Sequence, residues 1–208
     1  MNAPSLSVAR SDDDGKSASH VGTRMSADEF LAIQDDSAFY ELIDGVVVVS
    51  PSPTPRHQQV LLDIILQVGN YLRDHPVGML FPELDVHLGA SESGRDVVYR
   101  PEAAFVRSER VADVVQPDQK ISGAPDLVVE IVSRGSRRFD TETKKDDYQR
   151  FGVREYWLID PDRDTMTFFR LRDGRYSSAD TDRDRFTSEA IPGFTLDLAR
   201  LRELFKPW

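Results

Sequence analysis

The chain has 208 residues, 30% of them charged and 39% hydrophobic, which suits one soluble domain with a real core. It contains no cysteine, so disulfides and thiolate metal sites are excluded. A formal charge of −10 argues against salt-driven binding of nucleic acid over the whole surface. No apolar run approaches the ~20 residues of a membrane helix. The N-terminus lacks the apolar stretch of a signal peptide, so the expected compartment is the cytoplasm.

Residues 1–23 are rich in Ser, Asp, Gly and Ala and read as a disordered tail. Residues 24–208 show no repeat and no second boundary, and read as a single domain. Ser26-Ala27-Asp28-Glu29 fits a capping box that opens a short helix. Phe39 to Ile43 and Val46 to Ser50 predict two strands joined by Asp44-Gly45, a type I′ hairpin signal. Glu41 lies in the first of them, and from that stretch alone a water-facing position is favoured. The apolar edge at Val46 to Val49 suggests strand pairing in a homodimer. Thr54 and Pro55 suit the start of a helix running to about Asp74, with Val60, Leu61, Ile64, Ile65, Val68, Tyr71 and Leu72 on one face. His57, in its first turn, is either a partly exposed polar residue or a contact to a substrate phosphate.

Val77 to Phe81, Leu84 to Leu88 and Asp96 to Val106 predict further strands, with a turn over Gly89 to Gly94. Glu102 opens the last apolar run, and Ala104 follows it on the same face, leaving space for a ligand. A strand-start glutamate facing water is the alternative. Arg107 to Gly123 reads as a polar connection.

The stretch from Asp126 to Val132 has the β-branched richness of a strand buried on both faces. Alternation puts Leu127, Val129 and Ile131 on one face and Asp126, Val128, Glu130 and Val132 on the other. A carboxylate there is costly unless it is paired, hydrogen-bonded or bound to metal, which singles out Glu130. The helix that follows carries Asp140, Lys144, Tyr148 and Phe151 on one stripe and ends at Gly152. Between Arg134 and Arg154 stand seven basic and four acidic residues, a locally basic window in an acidic chain. Arg154 to Asp160 predicts another buried strand. Thr165 to Leu171, Arg175 to Ser178 and Arg185 to Ser188 read as a terminal antiparallel meander, and Leu196 to Leu204 as a last helix.

Glu41, Glu102 and Glu130 thus each interrupt an apolar strand, and Lys144 points inward from the next helix. Converging carboxylates suit a hard cation such as Mg²⁺ or Mn²⁺, which takes oxygen ligands and needs only one or two of them from protein. There is no P-loop, no Gly-x-Gly-x-x-Gly, no His-Glu-x-x-His and no Gly-x-Ser-x-Gly elbow. The four histidines lack metal-ligand spacing.

The ordered set Tyr40-Glu41-Leu42-Ile43-Asp44-Gly45, Ser50-Pro51-Ser52-Pro53, His57, Arg100-Pro101-Glu102, Pro125 to Ser133, Asp140, Lys144, Tyr148 and Gly152 to Asp160 closely resembles the Uma-two family. This is a restriction-endonuclease-like family of the PD-(D/E)xK nuclease superfamily, and the resemblance spans roughly residues 26 to 204. It implies a mixed β-sheet flanked by helices, an α/β (α+β) fold with an N-terminal hairpin and C-terminal antiparallel strands. It also implies divalent-metal-dependent cleavage of DNA to 5′-phosphate and 3′-hydroxyl ends. Pro101-Glu102 falls on the superfamily's Pro-Asp, with Glu in place of Asp. Glu130 falls on the acid of the (D/E)xK element. Val132 occupies the place of its lysine, and Lys144 fits that role from the following helix. Glu41 matches an additional acid on the early hairpin.

The expected site is therefore Glu41, Glu102, Glu130 and Lys144, with Glu102 and Glu130 on the metal. Asp126 and His57 are accessory candidates, and Arg134, Arg137 and Arg138 are candidates for DNA contact. A nuclease-like module that binds protein or nucleic acid without cutting is the alternative. A buried Glu130–Lys144 ion pair with no ligand is the third reading.

Overall fold

The computed structural model describes residues 20–33, 39–50, 52–116 and 120–206. The chain begins with α1 (Ala27–Leu31), and the capping box forms as the sequence predicts, with Ser26 and Glu29 exchanging hydrogen bonds. Strands β1 (Tyr40–Ile43) and β2 (Val46–Val49) form a hairpin. Asp44 and Gly45 both take positive φ, as a type I′ turn requires. Helix α2 (Pro55–Asp74) starts at Thr54, whose hydroxyl accepts from the His57 N–H, and buries Val60, Leu61, Ile64 and Val68. Then come β3 (Gly78–Pro82), β4 (Val86–Ala90), β5 (Asp96–Tyr99), β6 (Ala103–Arg107), α3 (Ser108–Val114), β7 (Val115–Gln116), β8 (Lys120–Ser122) and β9 (Leu127–Ile131). A π-helical turn over Phe139–Lys144 runs into α3's successor, α4 (Lys145–Phe151), which ends at left-handed Gly152. The chain closes with β10 (Glu155–Asp160), β11 (Thr165–Arg172), β12 (Arg175–Ser178), β13 (Arg185–Thr187), β14 (Thr195–Asp197) and α5 (Leu198–Phe205).

Two six-stranded sheets carry the fold, ordered β2-β1-β5-β4-β8-β7 and β12-β11-β10-β9-β6-β3, with β13 and β14 as a separate hairpin. Strands β9 and β10 pair in parallel, joined by the π turn and α4 as a crossover. The two faces of β9 serve different cores. Leu127, Val129 and Ile131 pack with α2, α5 and the last hairpin, while Val128 and Val132 pack with Tyr148, Tyr156 and the other sheet. The fold is α+β with mixed sheets flanked by helices. Among the described residues no helix is long and apolar enough to cross a membrane.

Four expectations are corrected. The run from Asp96 to Val106 is not one strand: β5 belongs to one sheet and β6 to the other. Buried Pro101 has no N–H to give to a ladder, so pairing breaks there and Arg100-Pro101-Glu102 carries the chain across. The stretch from Arg107 to Gly123 is not a plain connection, since α3, β7 and β8 occupy it and Val111, Val114, Val115 and Ile121 pack into the second core. Strand β13 leaves the meander to pair with β14, which takes Leu196 out of the last helix. Finally, the Gly22 N–H donates to the Val47 carbonyl, the Val47 N–H to the Thr23 carbonyl and the Met25 N–H to the Gly45 carbonyl. Residues 20–23 thus join the folded body, and they cover part of the β2 edge on which strand pairing in a dimer would depend. Residues 1–19 of the expected tail lie outside the described residues.

Candidate active site

Glu130 stands in the middle of β9 and is 3% exposed. Its Oε1 accepts from Lys144 Nζ at 2.9 Å and from Tyr148 Oη at 2.8 Å. Both donors come from the crossover, where Asp140, Lys144 and Tyr148 share the face turned toward the sheet and are all buried. The π turn positions the first two. Single π turns recur at functional sites, and here Tyr156 Oη donates to the Asp140 carbonyl at 3.0 Å, occupying an acceptor of the widened turn. No donor among the described residues reaches Glu130 Oε2, and Glu130 lines an open cleft.

Glu41 enters from β1 of the other sheet. It is 2% exposed, so the water-facing reading of the hairpin is overturned. Its Oε1 lies 2.8 Å from Lys144 Nζ and accepts from the Arg100 N–H at 3.1 Å, and Oε2 accepts from Ser50 Oγ at 2.9 Å. Asp140 Oδ1 lies 3.8 Å from the same ammonium. Three carboxylates therefore surround one lysine at the seam between the sheets. Burial alone would depress the Lys144 pKa, but Glu130, Glu41 and Asp140 outweigh it and hold the group well above its ordinary value. Burial raises the Glu130 carboxyl, and its acidic neighbours add to the effect.

Glu102 lines the same cleft from the crossing between β5 and β6. Its Oε1 meets His57 Nε2 at 2.9 Å. The extra methylene relative to Asp takes the carboxylate to α2, and His57 is its partner. Burial lowers the His57 pKa, yet the Glu102 hydrogen bond and charge prevail and raise it overall. The Ile131 carbonyl adds favourable electrostatics but completes no hydrogen bond to Nδ1. Arg100 fixes the crossing through a bidentate pair to Asp85 at 2.7 and 2.9 Å.

Residues 27–199 match the model of the Uma2 family, described as "Putative restriction endonuclease". The chain belongs to the Uma2 family. A crystal structure of a protein from Anabaena variabilis, described as a putative nuclease of the DUF820 group, shares its fold with a TM-score of 0.70. That protein is 20% identical, and the match covers 88% of this chain and 99% of the other. No curated protein matches at a significant level.

In this Uma2 chain the structure brings Glu102, Glu130, Lys144 and His57 to one cleft, sets Glu41 behind Lys144 in an adjoining one, and leaves Asp126 elsewhere. Asp126 precedes β9 at the far end of the strand, fully buried. Its Oδ2 accepts from the Arg107 N–H at 3.0 Å and pairs with Arg110 at 3.0 Å, and Arg154 lies 3.4 Å from Oδ1 without completing a hydrogen bond. Of the three candidate arginines, Arg137 is held by Asp160 at 2.9 and 3.0 Å, and Arg138 is 90% exposed and paired with Glu142 one turn on. Arg134 projects into a neighbouring cleft. Asp140 and Tyr148 belong to the site although the expected set omits them. Their helical spacing with Lys144 was the available signal.

No three His, Asp or Glu side chains among the described residues converge closely enough to enclose a metal ion. A cation with mixed protein, water and phosphate ligands needs fewer. The carboxylates offer only oxygen, no donor among the described residues reaches Glu130 Oε2, and three acids share a single ammonium. This chemistry fits a hard divalent cation.

Proposed function

We propose that the chain is a Mg²⁺- or Mn²⁺-dependent endonuclease that hydrolyses phosphodiester bonds of DNA. The observation that carries the reading is the buried Lys144 ammonium, 2.8 Å from Glu41 and 2.9 Å from Glu130, at the wall of a cleft also lined by Glu102 and Asp140. Family membership supports it. Glu130, through Oε2, and Glu102 are the residues that would hold the ion. A bound divalent cation supplies charge stabilisation at a phosphoryl oxygen and acidifies water.

The side chains divide the remaining work. Lys144 is held in its charged form by the carboxylates around it, a fixed positive charge beside the scissile phosphate. Glu41 keeps that charge in place from the opposite sheet. Tyr148 fixes Glu130 Oε1, so the second oxygen is the one presented to the cleft. His57 orients Glu102.

One observation favours a second reading, a module that binds without cutting: Glu102 is already engaged by His57. Supercoiled plasmid and single-stranded DNA incubated with Mg²⁺, Mn²⁺ or EDTA separate the two. We expect cleavage by wild type, none in EDTA, and a loss of at least about 100-fold in Glu130→Gln. Metal-independent cutting, or equal cutting by Glu130→Gln, would sink the endonuclease reading. Tight DNA binding without any cleavage would establish the module.

A further inference from the structure

Beside the acidic site lies a second cleft that shares His57 and Ser133 with it. Three distant elements build it: the first turn of α2 with Arg56, the turn after β9 with Arg134, and the turn after β10 with Asp162. Asp162 stands among three guanidinium groups, 3.5 Å from Arg56, 3.6 Å from Arg134 and 4.0 Å from Arg137. Fully made charge-assisted bonds close to about 2.7–2.9 Å. Arg137 has such a partner in Asp160. Among the described residues Arg56 and Arg134 have no closer acid than Asp162. One carboxylate thus spaces two guanidinium groups: Arg56 gives it a hydrogen bond stretched to 3.5 Å, and Arg134, at 3.6 Å, completes none with it.

The cluster meets a need of the neighbouring site. Three acids around one lysine, with Glu102 in the same cleft, repel a polyanion, so a strand must be held through phosphates beyond the scissile one. Guanidinium groups present planar forks that match phosphate oxygens. We propose that Arg56 and Arg134 form a subsite for a backbone phosphate flanking the scissile position, and that Asp162 holds the pair apart until phosphate replaces it. This inference rests on the nucleic-acid reading above and names the contact that the reading lacks. Arg56 is the new member. Nothing in the sequence distinguishes it, because its partners lie far along the chain.

The test is fluorescence anisotropy with labelled single- and double-stranded oligonucleotides, in Ca²⁺ buffer to keep them intact, at about 50 to 200 mM KCl. Arg56→Ala/Arg134→Ala should bind roughly tenfold more weakly near 100 mM salt, with a salt slope flatter by about 1. Arg134→Glu should do the same. Arg134 is 89% exposed, so folding should survive the reversal, and a melting curve checks it. Asp162→Asn should bind more tightly, a change of opposite sign that a purely structural ion pair would not give. If wild type binds DNA and the arginine variants keep its affinity and slope, the subsite is overturned and the endonuclease reading stands. Weaker binding by Asp162→Asn also overturns it. If wild type binds neither form of DNA, both readings fall.

Discussion

Burial pushes the Glu130 carboxyl from its ordinary 4.5 up to about 8, with Lys144 opposing the shift and Asp140, Glu41 and Glu102 adding to it. Between these values the folded chain binds the proton more strongly than the unfolded chain does. Stability of the metal-free protein should therefore fall as pH rises through that window and level off above it. Glu130→Gln mimics the neutral acid, so denaturation midpoints in EDTA at about pH 5 and about pH 9 should differ less for it than for wild type. An identical pH dependence would show that Glu130 is not the group responsible. Tyr148→Phe removes one of two donors to Oε1 and should cost about 1–3 kcal/mol. It should also weaken Mn²⁺ binding about 10–100-fold, measured by calorimetry. The sequence made Glu130 and Lys144 legible because a charge inside an apolar run demands a partner. Glu41 was not legible from its hairpin, since Tyr40-Glu41-Leu42 alternates like any half-buried strand. Only the placement of β1 between β2 and β5, with Lys144 over it, reveals the burial. Asp126 shares a strand face with Glu130, but four residues of strand separate them by roughly 13 Å.

At the scale of elements, the crossing at Arg100-Pro101-Glu102 matters most. Apolar residues flank it closely on both sides, so the stretch reads as one strand, and Pro101 between the charged Arg100 and Glu102 was the local sign of a break. The strand that braces β6 from the outside is β3, and it approaches closely at one point. A methyl group on Gly78 would collide with the Phe105 ring and the Val106 carbonyl. Backbone cannot yield as a side-chain tip can. Gly78→Ala should cost about 1–3 kcal/mol, lowering the thermal midpoint and displacing the end of β6 that Gly78 faces. An unchanged midpoint would mean that β3 shifts freely. The helix ends and the Asp44-Gly45 turn were legible because single residues with fixed backbone preferences mark them. The π turn was not, because an α-helical and a π-helical reading of Phe139 to Lys144 share the same buried residues.

For the whole molecule, the site is a seam: Glu41 belongs to one sheet, Glu130 to the other, and Lys144 to the crossover that covers both. A cation bound at this seam stabilises only the closed arrangement. Thermal midpoints should rise with Mn²⁺ concentration, by about 2.7 kcal/mol at a hundred times the dissociation constant, and Glu130→Gln should show no rise. The seam also has a place in time. The unit from β9 to β10 is local, whereas β1 comes from much earlier in the chain, and closing long loops is slow and late in folding. The Glu41–Lys144 contact should be absent from the folding transition state. Ser50→Ala, which removes a donor to Glu41, should then speed unfolding and leave the refolding rate unchanged, as stopped-flow chevrons can read. A chain with a damaged seam would fold on schedule and open too often, so the same few side chains proposed to hold the cation would also set how long the protein stays closed.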